Sequence, residues 1–170
     1  PDLAAPGALA TVEAFLAQAK AAGVRRVVLL SGRGEALAQA GERLVQGSGL
    51  AWTVIRASWF AQNFSEGVFL GPIHAGVFAM PNLDTPEPFI DVEDIADIAA
   101  AALTTADHEG QLYEVTGPEA LSLRDAVDVV AAAAGRPVRC QAIDGAQFEQ
   151  DLVAAGQPPA VAAFFSDLVG

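Results

Sequence analysis

Ala51-Trp52-Thr53-Val54-Ile55-Arg56-Ala57-Ser58-Trp59-Phe60 follows Arg25-Arg26-Val27-Val28-Leu29-Leu30-Ser31-Gly32 after a helical spacer. Each stretch is a short apolar run rich in β-branched residues, and each ends in small polar ones. Strands of this kind, alternating with helices, build a parallel α/β sheet whose chemistry gathers beyond the strand carboxyl ends. The β-α-β unit fits residues 24–57, close to the ~30 residues such a unit requires. No glycine-rich phosphate-binding turn precedes the pair, and residue 1 is a proline.

Outward from this unit the same patterning continues. Leu9, Val12, Phe15, Leu16 and Ala19 recur at helical spacing over residues 8–22, and Gly23 stands where that helix would stop. Residues 35–47 read as a second helix with Leu37, Ala40, Leu44 and Val45 inward. Trp59 to Phe64 starts a short helix or turn, and residues 76–80 and 89–92 read as short strands around a loop from Pro81 to Pro88. Asp91 or Glu93 opens a helix with Ile95, Ile98, Ala99, Ala102 and Leu103 on one face. A strand at 111–116 ends at Gly117-Pro118. Ser122 caps a helix over 123–134, a strand covers 138–143, and helices at about 145–155 and 159–169 follow. The sheet-forming part is thus expected over residues 1–117, with 118–170 as a small helical cap packed on it.

Composition narrows the function classes. With 52% hydrophobic and 18% charged residues in 170, the chain has enough apolar surface to build a core. The net charge is −12, and Arg25-Arg26 is the sole adjacent basic pair, too small a patch to hold a phosphate backbone. Nucleic acid and anionic membranes are therefore not expected as partners. A single cysteine, Cys140, rules out an internal disulfide framework and fits a cytoplasmic location. No leader pattern and no apolar run of membrane-spanning length stand in the sequence.

Several residues carry candidate chemistry, each beside a structural alternative. Ser31-Gly32-Arg33-Gly34 lies where glycines let a ligand approach the backbone, or is an ordinary strand-to-helix turn. Arg56 presents five donors to an anion or amide, or forms a salt bridge with one of the many carboxylates. Trp59, Phe60 and Phe64 wall an aromatic pocket, or are core, and Asn63 among them needs a hydrogen-bond partner if buried. Asp91-Val92-Glu93-Asp94 is explained by helix capping. His74 and His108 stand isolated at the surface without metal-ligand spacing, Cys140 reads as a small buried hydrophobe, and Tyr113 as core.

The stretches 23–31 and 48–56, with Trp59-Phe60-Ala61-Gln62-Asn63-Phe64, Pro88-Phe89-Ile90-Asp91-Val92-Glu93-Asp94-Ile95-Ala96 and Tyr113-Glu114-Val115-Thr116-Gly117-Pro118, resemble the NmrA-like branch of the atypical short-chain dehydrogenases. The resemblance covers essentially the whole chain, but only the later part of the family pattern. Members begin with a strand, a Gly-x-x-Gly-x-x-Gly turn and a helix, so the chain reads like the back half of a dinucleotide-binding protein, with Pro1-Asp2-Leu3 matching the loop over the nicotinamide side. The resemblance implies a Rossmann-type sheet and NAD(P) as cofactor, with the phosphate-binding part to be supplied from outside this stretch. Ser31, Arg56, Ser58, Trp59 and Asn63 would line the nicotinamide and substrate cleft, and the region from about 118 would shape the substrate pocket. Gly32 joins the cofactor set and Phe60 the substrate set through their neighbours. The helix carrying a Tyr-x-x-x-Lys pair in ordinary short-chain dehydrogenases here reads Glu35-Ala36-Leu37-Ala38-Gln39-Ala40-Gly41-Glu42-Arg43, with neither residue. No general acid is therefore identified.

The implied activity is NAD(P)-dependent hydride transfer to a small quinone- or enone-like substrate. The alternatives are a non-catalytic dinucleotide sensor, and a shortened cofactor-free scaffold used for ligand binding, isomerisation or cyclisation. A second copy or a regulatory partner protein remains open as a macromolecular partner.

Overall fold

The computed structural model describes residues 7–169. Among these, the first elements are α1 (Ala8–Ala21), β1 (Arg26–Gly32), α2 (Ala36–Gln46) and β2 (Ala51–Ala57). A 3-10 turn (Ala61–Phe64) leads to α3 (Leu70–Ala75), β3 (Val77–Met80), β4 (Pro86–Glu87) and α4 (Val92–Thr104). Then come β5 (Gln111–Val115), β6 (Leu121–Ser122), α5 (Leu123–Ala134), β7 (Arg139–Ala142), α6 (Gly145–Ala154) and α7 (Pro159–Val169). The expected α/β class with a parallel sheet is the one observed, while residues 89–92 are not a strand. Asp91, itself extended, caps α4, its Oδ1 accepting from the Glu93 N–H at 2.8 Å, so the helix already begins at Val92.

Two compact units make up the chain: one of residues up to Ser58 with Ile90–Gly117, the other of Trp59–Phe89 with the residues from Pro118 on. Residues 59–89, assigned from sequence to the first segment, cluster instead with the C-terminal elements. The cause is aromatic. Phe64, Phe69, Ile73, Phe78, Met80 and Leu83 share one core with Ala126, Val127 and Val138. Phe69 stands at its centre, edge-on to Phe78 at 5.2 Å and 80° and tilted against Phe64 at 5.1 Å. Parallel β3–β7 and antiparallel β4–β6 tie the same two stretches together through the backbone.

The first unit holds a sheet in the order β1-β2-β5, parallel throughout. Val27 of β1 packs with Val12 and Leu16 of α1 and Val45 of α2, and Leu29 and Trp52 border the cluster. Strand side chains alternate between faces, so α1 and α2 cover the face of Val27 and Leu29. Arg26, of opposite parity, donates from Nη1 to the Leu103 carbonyl at the end of α4, which places α4 on the other face. Two helices face differently from expectation. In α1, Phe15 is exposed while Ala8, Val12, Leu16 and Ala19 are buried. In α2, Leu37 is exposed and the buried stripe is Ala38, Gly41, Glu42 and Val45.

Candidate functional site

Register decides what meets at the strand ends. Ser31 of β1 lies beside Arg56 of β2, which lies beside Glu114 of β5. Three neighbouring strands thus present a polar row, one step beyond the apolar Leu29–Val54–Leu112 row of the same face. α2 returns over this face and delivers Glu42, whose carboxylate is 3% exposed.

Glu42 is the hub. Arg56 donates to it twice, Nε to Oε1 at 2.7 Å and Nη2 to Oε2 at 2.6 Å, the bidentate fork a guanidinium is shaped for. Ser31 Oγ donates to Oε1 at 2.6 Å. From Arg56 the network opens towards solvent: Nη1 donates to Glu114 Oε1 at 3.3 Å, and Arg33 Nε lies 3.9 Å from Glu114 Oε2. The hydrogen bond from Arg56 holds the Glu42 carboxyl below the usual carboxylate range, against burial, which acts in the opposite direction. The same bond raises Arg56, so both stay ionised. A third carboxylate is close by, since a Cβ added at Gly32 would run into Glu35.

The residues singled out from the sequence divide between the units. In the first, Ser31 and Arg56 are in the network, and Gly32 lies beneath Glu35. Ser58 is buried, its backbone N–H donating to the Val115 carbonyl at 3.2 Å. The salt-bridge alternative for Arg56 is therefore the observed arrangement. Among the described residues, three of its five N–H groups meet carboxylate acceptors.

In the second unit Trp59 stacks on Phe69 at 5.4 Å and 17°, and Phe64 is buried core. Phe60 is half-buried, and its carbonyl accepts from Asn63 N–H at 3.1 Å. Asn63 accepts from Phe69 N–H at 3.0 Å and packs so closely on Gly67 that a Cβ there would meet Asn63 Cα at 2.7 Å. Trp59 and Asn63 thus shape the turn that seats the aromatic core. Pro1-Asp2-Leu3 lie outside the described residues.

Sequence reasoning missed Glu42 and Glu114. Ala38, Glu42 and Val45 follow the helical 3-4 spacing, and a carboxylate on that stripe demands a cation, but the expected stripe is Leu37, Ala40, Leu44 and Val45, of which Val45 alone is fully buried. His108 is also corrected. It is half-buried rather than isolated, with Nδ1 2.9 Å from the Tyr113 hydroxyl. His74 is exposed, as expected. Among the described residues no three His, Cys, Asp or Glu side chains gather as metal ligands, and no helix is long and apolar enough to cross a membrane.

No family model matches the chain. It is 39% identical over 167 residues to an NAD(P)H azoreductase of Xenophilus azovorans, covering 91% of this chain and 57% of that protein. With a (4-alkanoyl-5-oxo-2,5-dihydrofuran-3-yl)methyl phosphate reductase of Streptomyces griseus it shares 34% over 163 residues, covering 90% and 57%. An NADPH-dependent quinone oxidoreductase of Escherichia coli, solved with NADPH, matches with a TM-score of 0.81 at 25% identity, covering 95% of this chain and 59% of that one. The fold is the Rossmann-like one of these reductases. The chain spans 57% of the length of each of these two curated relatives.

Proposed function

We propose that this chain forms the nicotinamide-and-acceptor part of an NmrA-like, NAD(P)-dependent oxidoreductase acting in the cytoplasm on a small quinone-, enone- or azo-type acceptor. The observation that carries the reading is the 39% identity to an NAD(P)H azoreductase running through 91% of the chain. When bound, the reduced nicotinamide supplies a hydride, two electrons with one proton.

The strand-end residues fit one end of such a cofactor. Two carboxylates, Glu42 and Glu114, balance two guanidiniums, Arg33 and Arg56, so a neutral carboxamide finds hydrogen-bonding groups without a charge to neutralise. A pyrophosphate finds no uncompensated cation in this row, in keeping with a phosphate-binding turn lying outside this stretch. Ser31, Gly32, Arg56 and Ser58 are the residues we assign to the carboxamide end. Trp59, Phe60 and Asn63 are assigned to the acceptor on the resemblance. α2 carries neither tyrosine nor lysine, so no general acid is assigned to it.

The test uses the protein expressed from its complete reading frame, its mass verified. NADH and NADPH binding are measured by titration, and turnover by loss of nicotinamide absorbance with a quinone and with an azo dye. Saturable binding with acceptor-dependent oxidation is expected. No binding and no turnover overturns the reading, and binding without turnover of any acceptor turns it into that of a sensor.

A further inference from the structure

We propose that Glu42 and Glu114 are specificity-determining residues that mask Arg56, so that the strand ends admit a neutral acceptor and refuse an anionic one. This rests on the reading above that the carboxamide end of the nicotinamide lies at these strand ends, which brings the acceptor it reduces close to them.

A guanidinium at the carboxyl end of a parallel strand is otherwise well placed for a carboxylate or phosphate, which it grips through paired N–H groups. Here the Nε–Nη2 edge of Arg56 is filled by Glu42 at 2.7 and 2.6 Å. Glu114 draws on the other edge through Nη1 at 3.3 Å, and its second oxygen faces Arg33 at 3.9 Å. An arriving anion therefore meets cations that already have carboxylate partners.

The two masks differ in kind. Glu114 is half exposed and exchangeable, with side-chain exposure of 52%. Glu42 is buried and held on a second side by Ser31 at 2.6 Å, so it has no route by which to swing away for a ligand. It touches Arg56 and Ser31 alone in this network, which makes it a positioning residue. Its replacement uncovers the Arg56 fork.

Sulfate, a tetrahedral dianion, is the probe. Thermal stabilisation by sodium sulfate is measured against sodium chloride at equal ionic strength for wild type, Glu114→Gln and Glu42→Gln, and for each variant combined with Arg56→Met. The wild type is expected to show no sulfate-specific shift. Both single variants are expected to bind sulfate about tenfold or more tightly than wild type, the effect of one charge-assisted contact, and to lose the gain with Arg56→Met. If Glu42→Gln does not fold, Glu114→Gln, altered at an exposed position, decides.

Sulfate binding by wild type equal to that of the variants overturns the proposal. So does absence of binding in Glu114→Gln, or binding that survives Arg56→Met. In the protein that oxidises NADPH, the ratio of kcat/KM for a carboxylated naphthoquinone to that for its neutral parent rises about tenfold in Glu114→Gln, and an unchanged ratio also overturns it. The sulfate titration uses no nicotinamide, so its failure and failure of the oxidoreductase reading are told apart.

Discussion

Replacing Glu42 by alanine tests whether the strand-end network holds the first unit together. The change removes the acceptor of two Arg56 hydrogen bonds and one from Ser31, at a position 3% exposed. Breaking a buried pair by deleting one partner costs about 3–5 kcal/mol, because the other charge stays buried without compensation. Arg56 keeps Glu114, and its side chain is 23% exposed, so the lower end applies, about 3 kcal/mol. Glu42→Gln keeps the volume and one acceptor oxygen and is expected to cost about 2 kcal/mol. Replacing both partners, with Glu42→Leu and Arg56→Met together, recovers most of the loss, since no charge is then stranded.

Urea unfolding followed by Trp52 fluorescence in a Trp59→Phe background reports on the first unit, because Trp52 borders its core cluster and Trp59 lies in the other. The pH dependence has a defined sign. The Glu42 carboxyl is held below its ordinary range in the folded protein, so the unfolded chain binds that proton more tightly. Its stabilisation is fully present above the unfolded value, about 4.3, and is lost as pH falls through the folded value. The gap between wild type and Glu42→Gln therefore narrows in acid. A Glu42→Ala loss below about 1 kcal/mol at neutral pH, or a gap that widens in acid, refutes the reasoning.

Other perturbations probe separate parts of the fold. Phe78→Ala empties a fully buried position edge-on to Phe69 and should cost about 3–5 kcal/mol, read from Trp59 fluorescence in a Trp52→Phe background. Ser122→Ala removes the capping box made with Asp125 and should lower stability of the second unit by about 1 kcal/mol in the same assay. Gly34→Ala forces a side chain into φ +83° in the turn after β1, and a loss of about 1–2 kcal/mol in urea unfolding is expected although the added Cβ meets no neighbour. Burial pushes the Cys140 thiol up, so at mildly alkaline pH its reaction with an aromatic disulfide should be slower in the folded protein than in urea.

The elements that sequence located well are those fixed by local chemistry. β1 and β2 are apolar runs whose observed bounds differ by a residue or two from the expected ones, and Ser122, Asp91 and Gly135 begin or end helices where their chemistry places them. What escaped was set by contacts distant in sequence. The pairing of Pro86–Glu87 with Leu121–Ser122 is two residues long and carries no alternation to read. Residues 59–89 went to the wrong partner because an aromatic-rich segment announces that it will be buried, but not against what.

The same distinction governs Arg56. With 21 acidic residues in the chain, a salt bridge was foreseeable and its partner was not. The partner is chosen by two long-range facts: β2 pairs with β1 so that Arg56 stands beside Ser31, and α2 crosses back over that face. Once both hold, the rotation of α2 follows from electrostatics rather than from hydrophobic patterning. Turning Leu37 inward would bury more apolar surface, yet it would carry Glu42 away from a guanidinium with 23% of its side chain exposed. Leaving Leu37 half exposed forfeits roughly 1 kcal/mol of apolar burial, less than the ~3 kcal/mol of a broken buried pair. The observed facing of α2 is therefore the one those magnitudes favour, and the departure from the apolar pattern at Leu37 marks the presence of the ion pair.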